Sequence, residues 1–126
     1  MGLKLHPRFR KRIAKHNIIV YKHLRYIDGL VTTYKRFPVE IGSTYESPMN
    51  IITCNNVKRQ TTCKYVLQGL HSFKTLKACK ADMRKFQSGT YSLCRCCIPK
   101  GSSYYVGGFA GSRCIVSDRL VYLELL

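Results

Sequence analysis

Short segments rich in β-branched and aromatic residues follow one another along most of this 126-residue chain, and they constrain its fold more than any other feature. The first is Ile18-Ile19-Val20-Tyr21, and residues 30–34 return as a second after the dipeptide Asp28-Gly29. An Asp-Gly pair between two such runs is typical of a tight hairpin turn. Because β-branched and aromatic side chains pack well on a pleated surface, these segments predict strands.

Seven further segments have the same character. They lie at residues 39–41, 50–54, 63–67, 91–98, 104–106, 114–116 and 120–126. The polar residues 55–62 predict a loop between two of these strands, and the glycine-rich residues 107–111 predict another. We therefore expect a mainly antiparallel sheet.

One segment has helical spacing. In residues 75–86 the apolar side chains of Leu76, Cys79, Met83 and Phe86 fall near one face, and Thr75 is placed to cap the first turn. Such a helix usually packs on a sheet. The predicted fold class is α+β, with one principal helix at about 75–86, a basic N-terminal arm at 1–16 and a single domain at 17–126.

The charge balance is unusual for a globular chain. Lysine and arginine number 22 and the acids only 6, which gives a formal net charge of +16. This excess repels itself and weakens the compact state unless a polyanion neutralises it. Nucleic acid is the first candidate, followed by an acidic protein surface and anionic lipid, whereas the alternative is a basic domain that is merely soluble.

The candidate polyanion contacts are the cations of the arm and of the first two strands. They are Lys4, Arg8, Arg10, Lys11, Arg12, Lys15, Lys22, Arg25, Lys35 and Arg36. Each would neutralise phosphate charge and release counterions rather than read bases. A frayed, solvated tail is the alternative for the arm. Tyrosines alternate with cations, as in Tyr21-Lys22, which indicates either a stacking platform in a cationic groove or core aromatics behind a basic face.

The cysteines indicate free thiols. They are Cys54, Cys63, Cys79, Cys94, Cys96, Cys97 and Cys114. The number is odd, and the basic N-terminus has no apolar core of a secretory signal, so we expect a reducing compartment and no secretion by a signal peptide. On a strand, Cys94 and Cys96 share one face and Cys97 takes the other, which splits a tetrahedral metal site. No apolar run approaches the length of a membrane span, so we expect no membrane partner.

Catalytic patterns are weak. The sequence lacks G-x-S-x-G, its acids are scattered singly, and residues 107–111 fit neither dinucleotide nor P-loop spacing. A lone histidine such as His71 is more often structural than catalytic. We expect no enzyme and no cofactor or metal.

Two segments resemble a known type of domain. Residues 69–76 fit the pattern G-x-H-x-F-x-T-L, and residues 98–107 fit I-P-K-G-x-x-Y-Y-x-G. Both patterns are similar to those of small uncharacterised domains of bacteriophages and other mobile elements, over residues 18–126. The resemblance implies a bacteriophage origin and assigns no chemistry.

A second resemblance concerns the C-terminal part alone. The turn at 98–101 and the strand after it are similar to the last strands of mono-ADP-ribosyltransferase domains, which carry a catalytic glutamate, often in an E-x-E pair. Here Glu124 stands alone and late.

The leading functional hypothesis is a non-enzymatic bacteriophage structural or accessory protein, associated with the capsid or packaged in the virion. It would bind acidic capsid protein, nucleic acid or both, in the virion or the host cytoplasm, and its oligomeric state and any place in a symmetric assembly stay open. One alternative is an intracellular nucleic-acid-binding regulator or anti-defence protein. Another is a degenerate ADP-ribosyltransferase-like enzyme that depends on Glu124 or His71.

Overall fold

The structure, a computed structural model, describes residues 3–5, 10–56, 61–86, 88–109 and 112–126. This part of the chain forms twelve strands and one helix. They are β1 (Leu3–Leu5), β2 (Arg12–Ile13), β3 (Ile18–Tyr26), β4 (Leu30–Thr32), β5 (Thr44–Glu46), β6 (Asn50–Asn56), β7 (Thr61–Gln68), β8 (Leu70–Phe73), α1 (Leu76–Met83), β9 (Tyr91–Ile98), β10 (Ser103–Phe109), β11 (Ser112–Ser117) and β12 (Arg119–Leu125).

All twelve strands belong to one antiparallel sheet. Its order is β5-β12-β9-β3-β8-β11-β10-β1-β7-β6, with β4 paired to β3 and β2 paired to β10. Strand β3 lies near the middle, where Ile18 to Arg25 pair with Ile98 to Tyr91 of β9. It therefore has a paired strand at each edge, β9 on one side and β8 on the other.

The predicted α+β class is wrong, because the protein is nearly all-β. Most of the described residues lie in the twelve strands, and the described part of the chain contains one short helix. The helix is eight residues long and ends at Met83, whereas the predicted helix continued to residue 86. Two turns of helix cannot form a layer of their own. The prediction extended the helix to Phe86 because of its apolar spacing, but Phe86 follows the helix and packs its ring against His23.

Several local predictions can be compared with the structure. Thr75 is confirmed as the N-cap, since its hydroxyl accepts the backbone N–H of Ala78 at 3.1 Å. The hairpin turn at Asp28-Gly29 is also confirmed, with φ of 50° and 123° at the two residues.

Other local predictions are wrong. Residues 39–41 do not form a strand, and the next strand is β5 instead. Strand β8 was not predicted. Residues 55–56 and 61–62 pair within the β6–β7 ladder rather than forming a loop, and residues 57–60 lie outside the described residues. In the predicted glycine-rich loop, residues 107–109 belong to β10, and residues 110–111 lie outside the description.

Parts of the N-terminal arm belong to the sheet. Leu3–Leu5 pair with both β10 and β7, and Arg12–Ile13 pair with β10. The backbone of Ala14 exchanges hydrogen bonds with the turn at Gly101 and Ser102, and its side chain is buried. The arm therefore meets the domain at two places along its length.

Buried apolar side chains form two clusters on opposite sides of β3. One contains Val20 and Leu24 together with Cys94, Cys96, Ile98, Leu120 and Tyr122. The other contains Phe73, Cys79, Cys114 and Val116, with Tyr21 packed against it. Successive residues of a strand point to opposite faces. Lys22 therefore shares the side of Val20 and Leu24, and His23 shares the helix side with Tyr21.

Candidate functional site

A buried polar cluster connects β3 to the helix. Nε2 of His23 lies 2.8 Å from Oδ2 of Asp82, and Nδ1 of His23 lies 2.8 Å from the hydroxyl of Thr33. The Tyr34 hydroxyl donates to the same Asp82 oxygen at 2.6 Å. His23 and Asp82 are 3% and 1% exposed. Lys85 completes the cluster, with Nζ 3.3 Å from Oδ1 of Asp82.

The protonation of this cluster follows from its contacts. Burial lowers the pKa of His23, although Asp82 opposes the shift. Burial alone would raise the pKa of Asp82, but the hydrogen bonds from Tyr34 and His23 outweigh it and lower that pKa. A neutral imidazole therefore donates through Nε2 to an ionised Asp82. The Thr33 hydroxyl donates to the His23 carbonyl at 2.8 Å, and the same hydroxyl oxygen lies 2.8 Å from Nδ1.

A cavity of about 640 Å³ lies next to this cluster. Its size is within the range of small-molecule sites. His23, Thr33 and Tyr34 reach its wall from the helix side, and Lys22 reaches it from β3. The cavity thus brings together residues that are distant in the sequence.

The polar edge of the cavity is formed by Lys22, Lys35 and His71. Nζ of Lys22 donates to the His71 carbonyl oxygen at 2.7 Å. All six acids are described, yet the ion pairs of the described residues involve Asp82 and Glu124 and none involves Lys22. Burial lowers the pKa of Lys22. This ammonium therefore keeps two N–H donors and has no counter-charge within the described chain.

His71 contributes an acceptor to the same edge. Its Nδ1 lies 3.3 Å from the Gly69 carbonyl and donates to it, which leaves Nε2 with a lone pair. Nε2 is buried without a hydrogen-bond partner among the described residues. Burial and the nearby charge of Lys22 lower the pKa of His71 to about 4, so the ring is neutral at physiological pH.

Another part of the lining is aromatic and apolar. Tyr45 and Tyr122 meet edge to face with ring centroids 5.4 Å apart, and Val39 and Leu70 lie beside them. Phe37 belongs to the same lining but is 62% exposed. The cavity therefore combines a cationic edge with an aromatic wall.

The predicted contact residues lie in several places. The exposed cations are Arg10, Lys11, Arg12 and Lys15 in the arm and Arg36 in the turn after β4. The cavity is lined by Lys22 and Lys35. The guanidinium of Arg25 lies 5.6 Å from the centre of the Tyr91 ring. The side chain of Lys4 and all of Arg8 lie outside the described residues. Asn17 contacts Lys100 at the start of β3, near the arm, whereas Lys35 and Arg36 follow the hairpin at its other end. The arm and Lys35 therefore do not form one contact surface.

A second basic surface was missed as a site. Lys74, Lys77, Lys80, Arg84 and Lys85 are all exposed, on and beside α1, and we call them the helical basic face. The single acid of this segment is the buried Asp82. The signal was present in the sequence, because residues 77, 80 and 84 share one helical face while residue 82 does not.

The cysteines whose side chains the structure describes are buried free thiols, as predicted. They are Cys79, Cys94, Cys96, Cys97 and Cys114. Sγ of Cys94 and Sγ of Cys96 lie 3.9 Å apart on one side of β9. Burial raises the pKa of the Cys79 and Cys114 thiols to about 12, which makes both inert as nucleophiles.

The resemblance to transferases finds no support in the position of Glu124. Its carboxylate pairs with Arg95 in an exposed contact, and it is not among the described residues that line the cavity. Among the described residues, no three side chains of the metal-binding types come together. The described helix is too short to cross a bilayer.

Comparison with known proteins adds no relative to this picture. No family model matches the sequence, and neither a curated protein nor a solved structure matches it.

Proposed function

We propose that this protein is a non-enzymatic nucleic-acid-binding protein that contacts the phosphate backbone through the helical basic face. One observation carries the proposal. Five exposed cations lie within residues 74–85, and the only acid of that segment, Asp82, is 1% exposed. A surface of a single sign is typical of proteins that neutralise phosphates.

The buried cluster explains why this surface carries positive charge without an exposed acid. Asp82 is turned inward, where His23 and Tyr34 bind it. The bond from Tyr34 also brings the turn that carries Lys35 and Arg36 against the helix. The alternation of charged and buried positions along α1 thus supports both the core and the binding surface.

The place where the protein binds nucleic acid is also part of the proposal. The bacteriophage resemblance favours a virion component that meets packaged nucleic acid, and an acidic capsid protein is the competing partner. Mass spectrometry of purified particles of the source phage tests the setting, because a virion component is recovered at a fixed number of copies.

The binding experiment compares two variants with equal charge change. Lys77→Glu/Lys80→Glu/Arg84→Glu reverses three cations of the helical basic face, and Arg10→Glu/Lys11→Glu/Lys15→Glu reverses three exposed cations of the arm. Anisotropy of a labelled DNA duplex is measured over a range of salt. If the wild type meets about six phosphates, its log–log salt slope is about −5, and the helix variant lowers the magnitude of this slope by about 3.

The arm variant serves as the matched control. We expect it to retain most of the affinity, whereas the helix variant loses at least about ten-fold at moderate salt. Binding that is insensitive to salt, or a larger loss in the arm variant, contradicts the proposal. Co-purification with capsid protein without affinity for free DNA or RNA would replace nucleic acid by an acidic protein as the partner.

A further inference from the structure

The cationic edge of the cavity is incomplete without an anion. Lys22 is partly buried, binds one backbone carbonyl and has no carboxylate partner within the described chain. Lys35 lines the same cavity and adds a second positive charge. Charged groups held away from water are usually paired. An anionic group bound at Lys22 would supply the missing charge and use its two remaining donors.

The other lining groups define the rest of the ligand. The accessible rings of the aromatic wall are Tyr45 and the largely exposed Phe37, because Tyr122 is only 2% exposed and packs edge to face on Tyr45. Aromatic side chains of this kind stack on planar rings. The unpartnered Nε2 of His71 accepts a hydrogen bond, and Glu46, the carboxylate among the described lining residues, accepts from an amine.

We propose that this cavity binds a single nucleotide, with the phosphate at Lys22 and Lys35 and the base against the aromatic wall. A nucleotide joins an anionic group to a flat ring with polar edges, which is the combination that the lining offers. A cavity of about 640 Å³ accommodates a ligand of this size. The site goes beyond the proposed backbone contact, because it depends on Lys22 and the aromatic wall rather than on the helical basic face.

Calorimetric titration with adenosine 5′-monophosphate tests the site. The wild type binds it saturably with one site per chain, and adenosine and inorganic phosphate each bind at least about ten-fold more weakly, since each makes only part of the contacts. Lys22→Met removes the ammonium and keeps an apolar stem of similar length, and we expect a loss of at least about ten-fold.

Arg25→Met is the matched control on the same strand. It also removes one cation, but Arg25 lies over Tyr91 and is not among the cavity-lining residues, so the affinity stays within about two-fold. Phe37→Ala changes an exposed side chain and carries little risk to folding. We expect it to weaken binding about five-fold through lost stacking.

Further titrations separate the two possible sources of the nucleotide and the two proposals. If adenosine monophosphate displaces a bound short single-stranded oligonucleotide, the cavity holds a nucleotide within a strand. If it does not displace the oligonucleotide, the cavity holds the free nucleotide. The variant Lys77→Glu/Lys80→Glu/Arg84→Glu retains mononucleotide binding even where duplex binding fails. The proposal is overturned by a folded wild type that binds no mononucleotide, by phosphate binding as tightly as the nucleotide, or by Lys22→Met and Phe37→Ala both binding like the wild type.

Discussion

Lys22 and His23 are neighbours on β3, yet they lie in contrasting environments. His23 faces the helix, where each ring nitrogen has a side-chain partner at 2.8 Å. Lys22 faces the cavity, where its ammonium binds one carbonyl oxygen and no carboxylate among the described residues. Lys22 is partly buried and His23 is buried, so the contrast between them lies in their hydrogen-bond partners.

This contrast separates polar groups that stabilise the fold from polar groups that are available to a ligand. A buried polar group that is fully hydrogen-bonded stabilises one packing of the core, and removing a partner is costly. A buried charge without a counter-charge costs free energy in the native state, so its removal is not expected to destabilise the fold. The groups bonded around His23 are therefore expected to determine stability, and those around Lys22 to determine binding.

The largest effect is expected from Asp82→Ala. It removes the carboxylate that binds His23, Tyr34 and Lys85, and leaves the buried Nε2–H of His23 without an acceptor. Because two hydrogen bonds to a charged group are lost, we expect the free energy of unfolding to fall by about 3–5 kcal/mol, measured by urea denaturation. Glu40→Ala, at an exposed acid, is the control and should change it by less than about 0.5 kcal/mol. A loss below about 1 kcal/mol for Asp82→Ala would show that the cluster is not structural.

A smaller effect is expected from acidification. His71 has its pKa lowered to about 4 from an ordinary value of 6.5, and the pKa of His23 is lowered as well. Between pH 6.5 and 4 the unfolded chain takes up protons that the folded chain does not, so stability is complete above pH 6.5 and is lost as the pH falls.

For His71 alone this loss amounts to at most about 3 kcal/mol. Urea unfolding at several pH values measures it, and His71→Gln should flatten part of the slope. An unchanged slope in that variant would mean that His71 is not held neutral by the fold.

The smallest effect is expected from Lys22→Met. Because no carboxylate among the described residues depends on this ammonium, the free energy of unfolding should stay within about 1 kcal/mol of the wild type. Equilibrium unfolding measured beside Asp82→Ala gives the comparison directly. A destabilisation as large as that of Asp82→Ala would erase the distinction between the two sides of β3.

Much of the strand content was predictable from residue type. Residues 91–98 and the hairpin at Asp28-Gly29 were located closely, because β-branched runs and turn dipeptides act locally. The fold class was not, since helical spacing at Phe86 continued beyond the real helix. Strand β8 was also missed, because four residues give too short a pattern to separate from the helix start beside it.

The candidate site was only partly predictable. Lys22 and Lys35 were marked as cations, but nothing in their local sequence places them in one cavity with His71. The exposed cations of α1 were visible in the sequence but were not among the predicted contact residues. Asp82 gave no signal of burial, because an acid among lysines looks like one more surface charge.

The sequence by itself determined a β-rich chain with buried thiols and a net charge of +16, since strand preference and charge depend on residue type and local order. The tertiary structure alone decided which charges are paired. His23 meets Asp82 across 59 positions of the chain, and Lys22 meets the backbone of His71 across 49. Such contacts depend on strand register and on the placement of the helix, because side-chain polar bonds act only over a few ångströms.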